Sequence, residues 1–119
     1  MGIASNSQHY TWRELDTALA VHGLNRALFD NELCFWSFER GFSKPDPEVF
    51  RWLAARLQPR GVPPANALMV GDRQDNDIEP ARQVGWQTWK LTSAGETDNP
   101  QAGDWESLQH YLRLHCGLE

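Results

Sequence analysis

The stretch ALMVGDRQDNDIEPARQVGWQTWKL, residues 67–91, decides the fold. It begins with a short apolar run at 67–70, which predicts a buried strand, and a cluster of acidic side chains follows directly. A helix with Pro80 in its first turn, where proline is tolerated, is predicted at 77–84. Residues 86–91 predict a further strand. Two strands joined by a helix are typical of a parallel sheet that helices cover.

The rest of the chain repeats this alternation of strands and helices. The elements predicted upstream are the end of a strand at 2–4, a helix at 10–22 that stops at Gly23, a turn at 24–29, a buried strand at 33–38 and a helix opened by Asp46 and Pro47. Downstream, residues 92–103 are predicted as a polar loop. Asp104 is predicted to cap a final helix that carries Trp105, Leu108 and Leu112. We therefore predict an α/β fold, a Rossmann-like parallel sheet with flanking helices, in a single domain at 1–119.

Composition excludes several classes of function. The net charge of −5 argues against nucleic acid and anionic membranes as partners, because both attract basic surfaces. No apolar run approaches the roughly 20 residues of a membrane span, and no secretory signal is visible. Cys34 and Cys116 make no disulfide framework, so we expect a cytoplasmic protein. His110, His115 and Cys116 do not follow a zinc-ligand spacing.

Polar side chains fall at the carboxyl ends of the predicted strands, where open α/β sheets bind ligands. Ser5 and Asn6 follow the first strand, Lys44 precedes the second long helix, and Asp72 and Asp77 follow the third strand. Carboxylates in a turn are ligands for Mg²⁺, which also keeps waters and substrate phosphate oxygens. A lysine supplies a compact positive charge for phosphate, and hydroxyl or N–H groups bind phosphoryl oxygens.

Each of these residues also has an ordinary structural explanation. Asp72 suits a turn, Asp77 suits a helix N-cap, Lys44 suits a solvated loop, and Ser5 suits a turn hydroxyl. Their combination, in the order hydroxyl, lysine and paired acids, favours a site for phosphate and Mg²⁺.

This order of motifs resembles the haloacid dehalogenase (HAD) superfamily, and specifically its phosphatase-like members with a helical cap. GIASNS resembles the second motif of the family, GFSKPDPEVF the third, and the GDRQDND segment with its following helix and strand the fourth. The resemblance covers about residues 2–92. It implies an Mg²⁺-dependent hydrolase that acts on a small phosphorylated metabolite through an aspartyl-phosphate intermediate.

The resemblance also implies roles for individual residues. Ser5 would hold the phosphoryl group with Asn6 beside it, and Lys44 would neutralise the substrate and the covalent intermediate. Asp72 would ligate Mg²⁺, while Asp77 would bind its waters or orient Lys44. Lys44 and Asp77 are thus the expected catalytic residues.

The first motif of the family, an apolar strand that ends in DxDGT and carries the nucleophile, is missing. The single Asp-x-Asp of the sequence, Asp75-Asn76-Asp77, already belongs to the fourth motif, and neither Asp16 nor Asp30 follows an apolar strand. We therefore expect a truncated HAD core that lacks the central nucleophile strand and the cap. Since the aspartyl-phosphate route needs that nucleophile, we expect no turnover by the isolated chain and weak Mg²⁺ binding at best.

In the family, the nucleophile strand lies between the strands that carry the second and fourth motifs. Without it, those two strands close up, or a partner chain fills the gap, or the chain is a piece of a longer protein. Two functions stay open. The chain is the C-terminal part of a phosphatase, or it is a non-catalytic binding module that self-associates or assembles with a partner chain.

Two other interpretations fit less well, a dehalogenase of the same superfamily and a receiver domain. A dehalogenase is disfavoured because the GDxxxND pattern goes with the Mg²⁺-dependent phosphatases, and a receiver domain because its acidic pair precedes its lysine.

The aromatic side chains of the predicted strands are typical of a core rather than a pocket; they are Phe35, Trp36, Phe38, Trp86 and Trp89.

Overall fold

The structure, a computed structural model, describes residues 1–8, 10–93 and 100–116, with the backbone alone at positions 115 and 116. The chain divides into two compact units, Met1–Pro63 and Pro64–Glu119. No helix within the described ranges is long and apolar enough to cross a membrane. That the chain forms a single domain stays a prediction.

The first unit contains a two-stranded parallel sheet and three α-helices. Its elements are β1 (Ile3–Ser5), α1 (Thr11–Ala20), β2 (Cys34–Trp36), α2 (Ser37–Arg40) and α3 (Glu48–Leu57), with 3₁₀ turns at Arg26–Leu28, Asn31–Leu33 and Gln58–Arg60. β1 and β2 pair with Ala4 opposite Phe35. The spacing of Val49, Phe50, Leu53 and Leu57 predicts the buried stripe of α3; the first three are buried, and Leu57 is half-buried. Phe35 is fully buried in the same unit.

Two helix termini of the first unit confirm local signals of the sequence. Gly23 has a φ of +70°, and its N–H donates to the carbonyl oxygen of Ala20, which closes α1 where a left-handed glycine was expected. The Asp46 carboxylate accepts the N–H of Glu48 at 2.9 Å and so caps the start of α3.

The predicted strand at 33–38 is shorter than expected. β2 ends at Trp36, and Ser37 begins α2, which Gly41 closes with a φ of +79°. The physical reason is a contact distant in sequence, because the Ser37 hydroxyl bonds to the backbone of Ser7. Apolar periodicity does not report such a contact.

The second unit contains a three-stranded parallel sheet in the order β3-β4-β5. Its elements are a 3₁₀ turn (Pro64–Asn66), β3 (Leu68–Gly71), a π-helix (Gln74–Ile78), α4 (Glu79–Gln83), β4 (Gln87–Leu91), β5 (Ala102–Gly103) and α5 (Trp105–Cys116). Val70 lies opposite Trp89 in the sheet. Buried apolar side chains in this unit include Ile78, Ala81 and Leu108.

Two expectations for the second unit are corrected. The helix predicted at 77–84 begins earlier, as a π-helix, because the carbonyl oxygen of Arg73 accepts the N–H groups of both Asp77 and Ile78. The predicted loop at 92–103 ends in β5, which pairs with β4; residues 94–99 lie outside the described part. α5 carries Trp105 and Leu108 as predicted; Trp105 is 68% exposed, whereas Leu108 is buried. Asp104 caps α5 as predicted, since it accepts the N–H of Ser107 at 2.8 Å.

The aromatic side chains of the strands belong mainly to the cores. Phe35, Trp36, Trp86 and Trp89 are all buried, whereas Phe38 is half-buried in α2. The indole N–H of Trp89 donates to the carbonyl oxygen of Gly103 at 3.2 Å, which ties β4 to β5. A buried tryptophan whose indole N–H has a hydrogen-bond acceptor is typical of a packed core.

Candidate functional site

The turn after β1 carries the first group of predicted site residues. Ser5 ends β1, and the turn continues through Asn6 to Ser7. The Ser7 N–H donates to Ser37 Oγ at 2.7 Å, and the Ser37 hydroxyl donates back to the Ser7 carbonyl oxygen at 3.2 Å. Ser37 follows the carboxyl end of β2, so these two bonds join the ends of the two parallel strands. Ser37 was not identified from the sequence, where no local pattern marks it.

Lys44 is bound directly to this turn through its backbone. Asn6 Nδ2 donates to the carbonyl oxygen of Lys44, and the Lys44 N–H donates to Asn6 Oδ1, both at 2.8 Å. The structure therefore brings Asn6 and Lys44 together, and Ser5 directly precedes Asn6 in the chain. The Ser5 hydroxyl makes no hydrogen bond with any residue that the structure describes. A free hydroxyl and an ammonium group are donors that suit phosphoryl oxygens.

The loop after β3 carries the second group. Asp77 is buried, and its Oδ2 accepts the backbone N–H of Arg73 at 3.2 Å. A Cβ added to Gly71 would lie 2.4 Å from Asp77 Oδ2, well inside contact distance. The absence of a side chain at Gly71 is therefore what admits the Asp77 carboxylate to this position.

Asp72 differs from Asp77 in its surroundings. It is exposed, and its carboxylate makes no hydrogen bond or ion pair with the described part of the chain. The loop therefore offers the free carboxylate of Asp72 and the fixed carboxylate of Asp77. Among the described residues, no group of three or more His, Cys, Asp or Glu side chains could hold a metal ion. Such a donor set fits Mg²⁺, which is commonly held by one or two carboxylates with water and phosphate oxygens.

An ion pair that was not identified from the sequence lies in the same loop. Arg73 Nε is 3.2 Å from Asp75 Oδ1, and Arg73 Nη2 is 3.0 Å from Asp75 Oδ2, so the guanidinium and the carboxylate meet as a fork. The hydrogen bonds from Arg73 lower the pKa of Asp75 below its usual value. The pKa of Arg73 is raised by the Asp75 hydrogen bond first and also by the charges of Asp72 and Asp77. The sequence signal that could have indicated this ion pair is a basic residue two positions before an acidic one.

The predicted site residues are divided between the two units. Ser5, Asn6 and Lys44 belong to the first unit, and Asp72 and Asp77 belong to the second. Each group is described by its own contacts. The roles of these five residues in a common site stay predictions.

The first unit also contains a cleft of about 570 Å³. Trp12 and Trp36 line it, together with the ion pair between Arg26 and Asp16. The Arg26 guanidinium lies 5.0 Å from the ring centre of Trp12. Because both charges of the ion pair are already matched, the cleft offers a ligand mainly aromatic surface.

Comparison with known families identifies relatives of this fold. A family model described as HAD-hydrolase-like matches residues 41–113. Among curated proteins, the glyceraldehyde 3-phosphate phosphatase of Methanopyrus kandleri is 44% identical over 55 residues, which are 46% of this chain and 22% of that protein. The phosphoserine phosphatase of Thermus thermophilus is 35% identical over 66 residues, 56% of this chain and 25% of that protein.

Solved structures show the same fold over nearly the whole chain. A HAD phosphatase from Thermococcus onnurineus has a TM-score of 0.67 at 25% identity, over 95% of this chain and 48% of its own. The putative HAD-hydrolase YfnB from Bacillus subtilis, solved with bound magnesium, has a TM-score of 0.71 at 24% identity, over 93% and 48%. The chain thus spans about half the length of these structures. The predicted α/β, Rossmann-like fold is confirmed.

Proposed function

Because the chain belongs to the family of HAD-like hydrolases, we propose that it is the C-terminal part of an Mg²⁺-dependent phosphatase for small phosphate esters. The observation that carries the proposal is the loop after β3. There Asp77 is fixed against Gly71 while the Asp72 carboxylate stays exposed without a partner among the described residues. The names of the two curated relatives, both phosphatases of small phosphorylated compounds, support the choice of substrate class.

In this proposal the first unit binds the phosphoryl group. The Ser5 hydroxyl donates to a phosphoryl oxygen, and the Lys44 ammonium group neutralises the phosphate charge. Asn6, which the family resemblance places beside the phosphoryl group, acts in this proposal by positioning Lys44, because both ends of its side-chain amide are bonded to the lysine backbone.

The second unit supplies the metal ligands. Asp72 ligates Mg²⁺ directly, and Asp77 binds metal-bound waters or orients Lys44. When bound, Mg²⁺ supplies Lewis-acid polarisation of the phosphoryl group. Two carboxylates alone make a weak Mg²⁺ site, since this ion needs six oxygen ligands in a near-octahedral arrangement.

We further propose that the isolated chain does not turn over. Attack on phosphorus through a covalent intermediate needs a positioned nucleophile, and no Asp-x-Asp of the sequence follows an apolar strand in the way the first motif requires. The test is hydrolysis of p-nitrophenyl phosphate with Mg²⁺ by the wild-type chain and by Asp72→Asn. We expect equal background rates; turnover that Asp72→Asn abolishes would show that the chain is a complete catalyst.

Phosphate binding is tested separately from catalysis. Inorganic phosphate with Mg²⁺ is titrated with the chain and followed by ³¹P NMR line broadening. We expect Lys44→Gln to remove the broadening. Lys90→Gln, at the other lysine of the chain, should leave it in place. Equal broadening by the wild type and Lys44→Gln would argue against a phosphate site at Lys44.

A second candidate function, a binding module that self-associates or joins a partner chain, is favoured by the order of the sheets. β1 and β3 are both edge strands of their own sheets, so each has an edge whose N–H and C=O groups lack a strand partner among the described residues. Native mass spectrometry with chemical denaturation in Mg²⁺-free buffer tests it. An associated or uncooperative species would support the module, and a cooperative two-state monomer would exclude self-association.

We also propose a cytoplasmic location. Cys34 is a free, buried thiol, which suits a reducing compartment.

A further inference from the structure

The fork between Arg73 and Asp75 has no role in the function proposed above. Both side chains are largely exposed, at 61% and 68%, so packing does not require the pair. The pair nevertheless lies inside the loop that carries Asp72 and Asp77. Residues 72–79 contain four acids and one base, and Arg73 is that base.

Two observations separate Asp75 from the proposed metal ligands. Both of its carboxylate oxygens are engaged by Arg73, which leaves Asp75 neutralised where Asp72 is not. In addition, Asp72, Asp75 and Asp77 are not a three-acid group that could hold a metal, because the described residues contain no such group. The loop therefore has two candidate metal ligands, Asp72 and Asp77, whereas the carboxylate of Asp75 is occupied by Arg73.

The guanidinium of Arg73 lies within the electrostatic field of the two candidate ligands. Arg73 directly follows Asp72 in the chain and lies four residues before Asp77. The backbone of Arg73 is fixed as well, because its N–H bonds to the Asp77 carboxylate and its carbonyl oxygen accepts the Asp77 N–H at 2.9 Å. A mobile guanidinium on this fixed backbone would be a tethered competitor for a divalent cation.

We propose that Asp75 is a positioning residue that holds the Arg73 guanidinium away from Asp72 and Asp77, and that this pair sets the affinity of the site for a divalent cation. The inference rests on the proposed metal site at Asp72 and Asp77. With the fork intact, the charge of Arg73 is cancelled locally. Without Asp75, the guanidinium is free to pair with a metal ligand and to exclude the cation.

The test is Mn²⁺ binding to the full 119-residue chain, with free Mn²⁺ measured by electron paramagnetic resonance. We expect Arg73→Gln to bind Mn²⁺ about three- to tenfold more tightly and Asp75→Asn about three- to tenfold more weakly, because each change alters the charge of the same loop by one unit and the effect is measured at low salt. The double variant should return close to wild-type affinity, because both charges leave together.

The double variant separates this proposal from direct ligation by Asp75. If Asp75 were a ligand, the double variant would bind as weakly as Asp75→Asn, and that result would overturn the inference. Matched controls are Glu48→Gln and Arg51→Gln, an exposed ion pair on α3, which should leave Mn²⁺ binding unchanged. The differences between variants should also shrink as salt is raised.

Failure of the inference and failure of the proposed function give different results. Binding that Asp72→Asn abolishes, but that the Arg73 and Asp75 variants leave unchanged, would overturn the inference alone. No Mn²⁺ binding by the wild-type chain would overturn the metal site and the inference together.

Discussion

The side-chain amide of Asn6 and the backbone of Lys44 form two reciprocal hydrogen bonds of 2.8 Å, across 38 residues of sequence. Asn6 lies in the turn after β1, and Lys44 lies in the loop before α3. An amide offers a donor and an acceptor side by side, so it matches a backbone C=O and N–H at once. The second and third motifs of the family are thus joined in this chain by a specific structural contact.

Asn6→Ala should destabilise the chain by about 1 kcal/mol, because two hydrogen bonds at an exposed position are lost. Urea denaturation followed by circular dichroism measures the change. The matched control is Asn31→Ala in the same unit, whose side chain makes no hydrogen bond within the described ranges and should have almost no effect. Equal stability of the two variants would mean that the Asn6–Lys44 bonds contribute nothing.

Gly71→Ala should destabilise the chain by about 1–3 kcal/mol, since the new Cβ overlaps the Asp77 carboxylate. The backbone of Gly71 is not in the left-handed region, so the effect is steric. Adding Asp77→Gly removes the overlapping atoms, and the loss in the double variant should therefore be smaller than the sum of the two single losses. Additive losses would show that Gly71 and Asp77 do not contact each other.

The cap of α5 gives a pH-dependent prediction. The N–H of Ser107 lowers the pKa of Asp104 in the folded chain below its unfolded value of about 3.9. The stability that the carboxylate adds is therefore fully present above that unfolded pKa and is lost as the pH falls through the folded pKa.

Asp104→Asn keeps a capping side chain but does not titrate, so it isolates this charge. At neutral pH the wild type should have a higher melting temperature than Asp104→Asn. This difference should close as the pH falls through the lowered pKa of Asp104. Thermal melting at a series of pH values measures it. A gap that is the same at pH 7 and at the acid end would contradict the assignment.

The Cys34 thiol should react slowly in the folded chain. Burial raises its pKa, and the thiolate is the reactive form. In a Cys116→Ser background, we expect slow reaction with Ellman's reagent at about pH 8 and fast reaction after urea is added. Fast reaction without urea would mean that Cys34 is accessible in the native state.

Features set by neighbouring residues in the chain were predictable. The apolar run before Asp72 forms β3, Asp46 and Asp104 cap their helices, and Gly23 ends α1. Each depends on propensity, capping or a left-handed glycine within a few residues. The Arg73–Asp75 fork is equally local and was open to prediction.

Features set by distant contacts were not predictable in this way. β2 stops at Trp36 because Ser37 bonds to Ser7, which lies 30 residues earlier. β5 consists of Ala102 and Gly103 at the end of a polar segment, which indicated a loop, and it forms by pairing with β4. The direct bond from Asn6 to Lys44 is of the same kind, since the family resemblance placed the two residues in one site without showing the bond between them.

The measurement that tests the proposed site most directly is calorimetric titration of Mg²⁺ into the wild-type chain and into Asp72→Asn. We expect weak binding in the millimolar range for the wild type, because the described residues offer the ion no group of three or more ligands, and no binding for Asp72→Asn. Wild-type affinity in the micromolar range, or equal affinity in the two proteins, would contradict a two-carboxylate site built on Asp72.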